Sequence, residues 1–233
     1  MGSRGLKKAK QMKRLNLEAF LKNKYNYLLT TEIIILIVYP FLHKIGAKFP
    51  IIALMLMIAI APALWVGLSR KFFLVVISIG MLAFAFNVVA SFRSKDLADK
   101  GMLILLILYA LFFFLAIAIL ITKISSRKTV TVDMIKGGIS VYFLLGLFWA
   151  ILYMIVLRFD PDALSNIHNE GFDIYYYSFT TLTTLGYGDI APVVKYAKIL
   201  AILEAVAGPV YLAIFVAQLI GLNIAQKIKQ TKD

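Results

Sequence analysis

Thr183-Thr184-Leu185-Gly186-Tyr187-Gly188-Asp189 is the stretch whose reading decides the fold. It follows an aromatic, hydroxyl-rich run at 172–182 and precedes a long apolar stretch at 193–222. A bilayer's ~30 Å hydrocarbon core takes ~20 helical residues to cross, so so short a run should dip in and return. Irregular backbone is tolerated at that depth only where protein buries it or where it lines a water-filled path. Gly186 and Gly188 can adopt the left-handed angles that turn successive carbonyls the same way, at little steric cost. With the Thr184 hydroxyl below them, rings of such oxygens can replace the water shell of a cation.

These residues resemble the potassium-channel signature Thr-Val-Gly-Tyr-Gly, with Leu185 where valine is usual. The likeness extends upstream through Tyr176, Tyr177, Ser178, Phe179, Thr180, Thr181 and Leu182, and downstream through Asp189 and Pro192. Residues 130–227 look like the pore module of that superfamily. The whole chain looks like its prokaryotic six-helix members without a regulatory domain. The resemblance implies potassium held by the carbonyls of Thr184, Leu185, Gly186 and Tyr187, the Thr184 hydroxyl and the turn at Gly188. It also implies a bond from Asp189 to a pore-helix aromatic, a position held here by Tyr177, with Thr180 as a second hydroxyl.

Composition agrees with a membrane protein. The 233 residues are 61% hydrophobic and 16% charged, with mean hydropathy +0.86, too apolar for a soluble domain. There is no cysteine, which excludes disulfides and thiolate metal sites. The net charge of +13 is distributed as a membrane orientation signal, not as a nucleic-acid surface. Segment 1–26 carries Arg4, Lys7, Lys8, Lys10, Lys13, Arg14, Lys22 and Lys24 against Glu18. It reads either as a basic interfacial segment on anionic headgroups or as a positive tail that sets orientation. No cleaved leader is expected, because this tail runs directly into an apolar span.

Six spans are expected, at 27–43, 51–68, 72–92, 102–123, 135–157 and 193–222, with the re-entrant run between the last two. The fold class is therefore all-α: six transmembrane helices plus a pore helix and filter. Four domains follow: a basic segment at 1–26, a four-helix scaffold at 27–129, a pore domain at 130–227 and a cytoplasmic tail at 228–233. Most lysines and arginines fall on one side if both termini face the cytoplasm of a multi-pass cell-membrane protein. That orientation places Asp160, Asp162, Glu170, Asp173 and Asp189 at the outer mouth, where acids concentrate cations. Only Asn223 to Asp233 follows the last span, so no cytosolic sensing domain is expected.

The fourth span has no arginine or lysine between Met102 and Thr122. Moving one charge through the membrane yields only ~2.3 kcal/mol per 100 mV, so a voltage sensor needs several. Steep voltage gating is not expected. Glu32 reads as an acid that snorkels from the first span, and Asn87 as a bond to a neighbouring helix. Glu204, well inside the last span, needs a partner, for which the Thr180 and Thr181 hydroxyls are candidates; a gating role and simple protonation are the other readings. Gly208-Pro209 predicts a kink, either static or, as the resemblance implies, a gating hinge. Leu212, Val216 and Ile220 share a helix face and read either as an apolar gate or as lipid-facing residues.

There is no catalytic constellation. His43 and His168 are isolated, and neither has metal-ligand spacing with a second residue. One filter segment per chain requires four chains around an axis, so a homotetramer is expected, with potassium as the permeant ion and no cofactor. Two other readings stand: a potassium transporter subunit, which would need several different loops in one longer chain, and a non-conducting regulatory or scaffold subunit.

Overall fold

The computed structural model describes residues 24–44, 49–65, 69–91, 95–168 and 171–231. The basic segment 1–23, Lys48, Arg93, Glu170 and the last two residues lie outside these, as do the side chains of His43 and Asn87. The described chain is helical: α1 (Lys24–Lys44), α2 (Phe49–Trp65), α3 (Arg70–Ser91), α4 (Lys95–Ser125), α5 (Val132–Phe159), α6 (Phe172–Leu182) and α7 (Lys195–Gln230). Among the described residues the one β-type pairing is an isolated bridge between Leu164 and Pro192. Among the described residues three segments are long and apolar enough to cross a membrane, 101–125, 132–159 and 195–230, so the protein is read as a membrane protein. The helices at 24–44 and 70–91 are 21 and 22 residues long.

Local chemistry sets several boundaries. Thr131 caps α5, its side chain accepting from the Met134 N–H at 3.1 Å, and Asp133 lies in the first turn. At the end of α7, Lys227 and Lys229 sit against its negative pole. The Lys123 ammonium of α4 donates to the Ala63 and Leu64 carbonyls at 3.1 and 2.8 Å, satisfying groups that the end of α2 leaves open. Lys24 pairs with Asp133 at 3.5 Å and Lys136 donates to Asn26 at 2.6 Å, which joins the start of α1 to the start of α5.

Helix α5 is the hub. It packs against α1, α4, α6 and α7, while α2 and α3 complete the bundle around α4. The short 124–134 linker favours this packing of α4 on α5 of the same chain. One core cluster joins α1 to α5 around Leu28, Ile60, Leu105, Phe112 and Leu144, with Phe215 of α7. A second joins α5, α6, the loops on either side of α6 and the start of α7 through Tyr153, Ala163, Ile174, Tyr177, Ile190 and Ala197. In lipid such contacts stabilise through close packing and polar pairing, since lipid tails are as apolar as the side chains.

Small residues set how closely the helices approach. Gly138 admits the Phe215 ring and Gly146 admits the Phe179 ring. Gly208 lies under the end of α6, where a Cβ would stand 2.0 Å from the Leu182 carbonyl oxygen. The α7 helix runs through Gly208 and Pro209 without ending.

Because the atom facing Gly208 is backbone, it moves only if the end of α6 moves. Gly208→Ala should lower stability by about 1–3 kcal/mol, read as a lower thermal unfolding midpoint in detergent. Gly221→Ala, with open space around the position, should leave the midpoint unchanged or raise it.

Candidate ion-conduction site

The α6 helix ends at Leu182 and the chain turns back beneath it. Thr183 N–H donates to the Phe179 carbonyl at 3.1 Å and Thr184 N–H to that of Thr181 at 2.9 Å. The Thr180 carbonyl accepts from both Leu185 and Gly186, at 2.8 and 3.1 Å. These donors each engage one carbonyl at the end of α6 and anchor the segment 183–189 there. Tyr142 of α5 donates to the Leu182 carbonyl at 3.2 Å.

Beyond that anchor the backbone alternates. Thr184, Gly186 and Gly188 have φ of +58, +53 and +81°, with Leu185 and Tyr187 between them outside that region. A residue pair of opposite handedness reverses the peptide flip, so repeating it turns successive carbonyls toward one side. Glycine takes such angles freely, whereas Thr184 bears a cost of order 1–3 kcal/mol that its surroundings must hold. The segment 183–189 is exposed along the protomer, with open space where a Cβ would stand on Gly186 or Gly188.

The far end is clasped by the outer loop. Asn166, itself at φ +56°, donates from Nδ2 to the Asp189 carbonyl at 2.7 Å. Ser165 N–H donates to the Ala191 carbonyl at 2.8 Å, and Ala191 N–H donates to Ser165 Oγ at 3.0 Å. Val193 N–H donates to the Ala163 carbonyl at 2.9 Å. Sequence reading missed this clasp; the Ser-Asn pair after a turn is a common loop signal and named no partner. Among the outer acids, Asp160 accepts from Tyr196 at 2.8 Å and Asp173 from the His168 N–H at 2.8 Å. Both therefore serve the loop itself.

Behind the segment lies Glu204, fully buried on α7. Its Oε2 accepts from the Tyr153 hydroxyl of α5 at 2.7 Å, and its Oε1 lies 2.6 Å from Ser178 Oγ of α6. The expected partners were Thr180 and Thr181. Instead, Thr180 donates to the Tyr177 carbonyl within α6 at 2.9 Å, and Ser178, two residues earlier on the helix, meets the acid. Ser178 Oγ also lies 2.8 Å from the Gly146 carbonyl. One hydroxyl proton cannot serve both oxygens. The donor count closes with Glu204 as a neutral acid that donates to Ser178, while Ser178 donates to Gly146 and Tyr153 to the acid's carbonyl oxygen. No lysine, arginine or histidine among the described residues acts on it.

The expected Tyr177–Asp189 pair is not formed within the chain. Tyr177 is buried, with its ring edge-on to Tyr153 at 4.9 Å between centroids and its hydroxyl among those of Thr181 and Tyr153. Tyr176 is the tyrosine that lies beside the Asp189 carboxylate. One residue on a helix turns the side chain by ~100°, so the preceding tyrosine faces the filter and Tyr177 faces the bundle. Glu32 is also placed differently from the expectation: it is 3% exposed and does not snorkel. On α7, Leu212, Val216 and Ile220 all lie exposed on the protomer surface, Pro209 is exposed and Gly208 is buried.

Replacing Glu204 tests the proton count. Gln can donate to Ser178 and accept from Tyr153 as the neutral acid does, so Glu204→Gln should keep thermal stability and ion flux near those of the parent. Glu204→Leu leaves the buried Tyr153 hydroxyl without its acceptor, at about 1–3 kcal/mol, while Ser178 keeps its bond to Gly146. It should lower the unfolding midpoint and speed the loss of flux in vesicles.

A family model described as an ion channel matches residues 139–224, which run from α5 through α6 and the filter segment into α7. No curated protein and no solved structure matches the chain. Over residues 139–224 this chain is similar to the ion-channel family, and the match spans the helices and the turn that carry the site described above.

Proposed function

We propose that four copies of this chain form a potassium-selective channel that conducts passively across a cell membrane. The observation that carries this reading is the alternation of positive φ at Thr184, Gly186 and Gly188. Four such segments around one axis stack rings of carbonyl oxygens, contributed by Thr184, Leu185, Gly186 and Tyr187 and closed below by the Thr184 hydroxyl. Each ring replaces water around a dehydrated cation. The exposure of 183–189 along a single protomer supports an axis at that surface. The negative end of each α6 favours a cation in the cavity below.

The remaining helices take supporting roles. The packing of α1 and α4 on α5 of the same chain supports a six-span subunit whose first four helices brace its own pore. The Gln- and Lys-containing end of α7 lies on the cytoplasmic side, as does the amino terminus. The α4 segment 101–122 carries no basic residue, so opening is not steeply voltage-dependent. On α7, Leu212, Val216 and Ile220 form an apolar gate below the cavity, with Gly208-Pro209 as its upper joint. The exposure of those three side chains on the protomer supports a pore-facing position.

Flux from purified protein in vesicles tests the reading. Potassium and rubidium should pass and sodium should be largely excluded, without any partner or coupling ion. Comparable sodium and potassium fluxes would contradict it. Flux that needs a coupling ion would indicate a transporter, and no flux would indicate a scaffold subunit.

A further inference from the structure

A crevice of ≈ 380 Å³ opens between α1, α5 and α6 directly behind the filter segment. That volume falls within the ~300–1,000 Å³ of small-molecule sites. Its walls are aromatic, with Tyr39, Phe143, Phe172, Tyr175 and Phe179 around it, and its inner end reaches Thr183 and Leu185. Tyr39 fixes one side, stacked on Phe172 at 6.3 Å and edge-on to Tyr175 at 5.0 Å between centroids.

The single acid in this lining is Glu32 of α1. It is 97% buried by its 3% exposure, and neither carboxyl oxygen has a hydrogen-bond partner. Ser140 of α5 is its polar neighbour, and that hydroxyl is unpartnered too. A rotation of the Ser140 hydroxyl can serve one oxygen and leaves the other without a partner; both lie just behind the crevice wall, where a rotation of the acid's side chain would bring one into the crevice. An unpaired acid held at this depth is costly, and its surroundings define what would relieve it.

We propose that this crevice binds a lipophilic primary amine, with the ammonium on Glu32 and the apolar body against the aromatic walls. Charge-assisted bonding to a carboxylate and the negative faces of aromatic rings both favour an ammonium. An amine entering from lipid as its free base takes one proton from the acid, so the pair forms without moving net charge into the interior. A lipid tail fills the same walls but leaves the acid unpaired. A neighbouring copy does likewise with the apolar residues that α7 exposes, such as Ile199, Leu203, Val206 and Val210. The occupied crevice abuts Leu185 from behind, so binding restrains the filter and lowers flux.

The test is photolabelling of the full-length protein in vesicles with an alkyl diazirine that carries a primary amine; its readout needs no ion flux. Label should fall on peptides containing 24–44 and 172–182. Octylamine should compete it and octanol should not. Glu32→Leu should reduce it at least about tenfold, the ~1.4 kcal/mol minimum for one lost charge-assisted contact. Removing an unpaired acid leaves folding intact; Glu32→Gln, which cannot take the ammonium charge, serves as a second variant with the same expected loss. Equal competition by octanol, which indicates a lipid groove, overturns the proposal. So does label confined to 195–230, which indicates the pore, or no competed label, which indicates cover by a second copy.

Discussion

A backbone segment that turns its carbonyls to one side cannot also pair them in a helix or a sheet, and the whole fold is arranged around holding such a segment still. Residues 184–188 carry three positive φ angles, one of them on a threonine. The segment is fastened at its ends. The Thr180 and Thr181 carbonyls hold its inner end, and Asn166, Ser165 and Ala163 hold the chain just beyond its outer end. Between these anchors the segment is exposed on the protomer, and under the proposed assembly of four chains its carbonyls would face a dehydrated cation.

The position of the anchor is itself set by three contacts behind it. Glu204 joins α7 to Ser178 of α6 and Tyr153 of α5 at one buried point. Gly146 lets the Phe179 ring reach α5, and Gly208 lets α7 pass directly beneath the end of α6. A neutral acid suits this place better than a carboxylate, because hydrogen bonds without a nearby cation leave a buried charge uncompensated. A change at Glu204 therefore acts first on the packing of α6 between α5 and α7.

Much of the architecture was legible in residue patterns, because apolar length and a re-entrant glycine string are local signals. The spans expected at 102–123 and 135–157 lie inside α4 and α5, and the run at 172–182 is α6. The partners of Glu204 were not legible: its depth signals a need for a bond, but which hydroxyl answers depends on helix rotation. The same ~100° per residue separates Tyr176 from Tyr177 and decides which of them meets Asp189. Glu32 shows a third kind of difference. Its position in the first half of α1 suggests a reach to water, whereas packing of α1 against α5 closes that route and leaves the acid buried beside a crevice.

The central claim is that each chain supplies one quarter of a single filter. Native mass spectrometry of the purified protein, released from vesicles in which potassium flux has been measured, tests this most directly. The account predicts one dominant species of four identical chains. A dominant monomer or dimer recovered from conducting vesicles would contradict it.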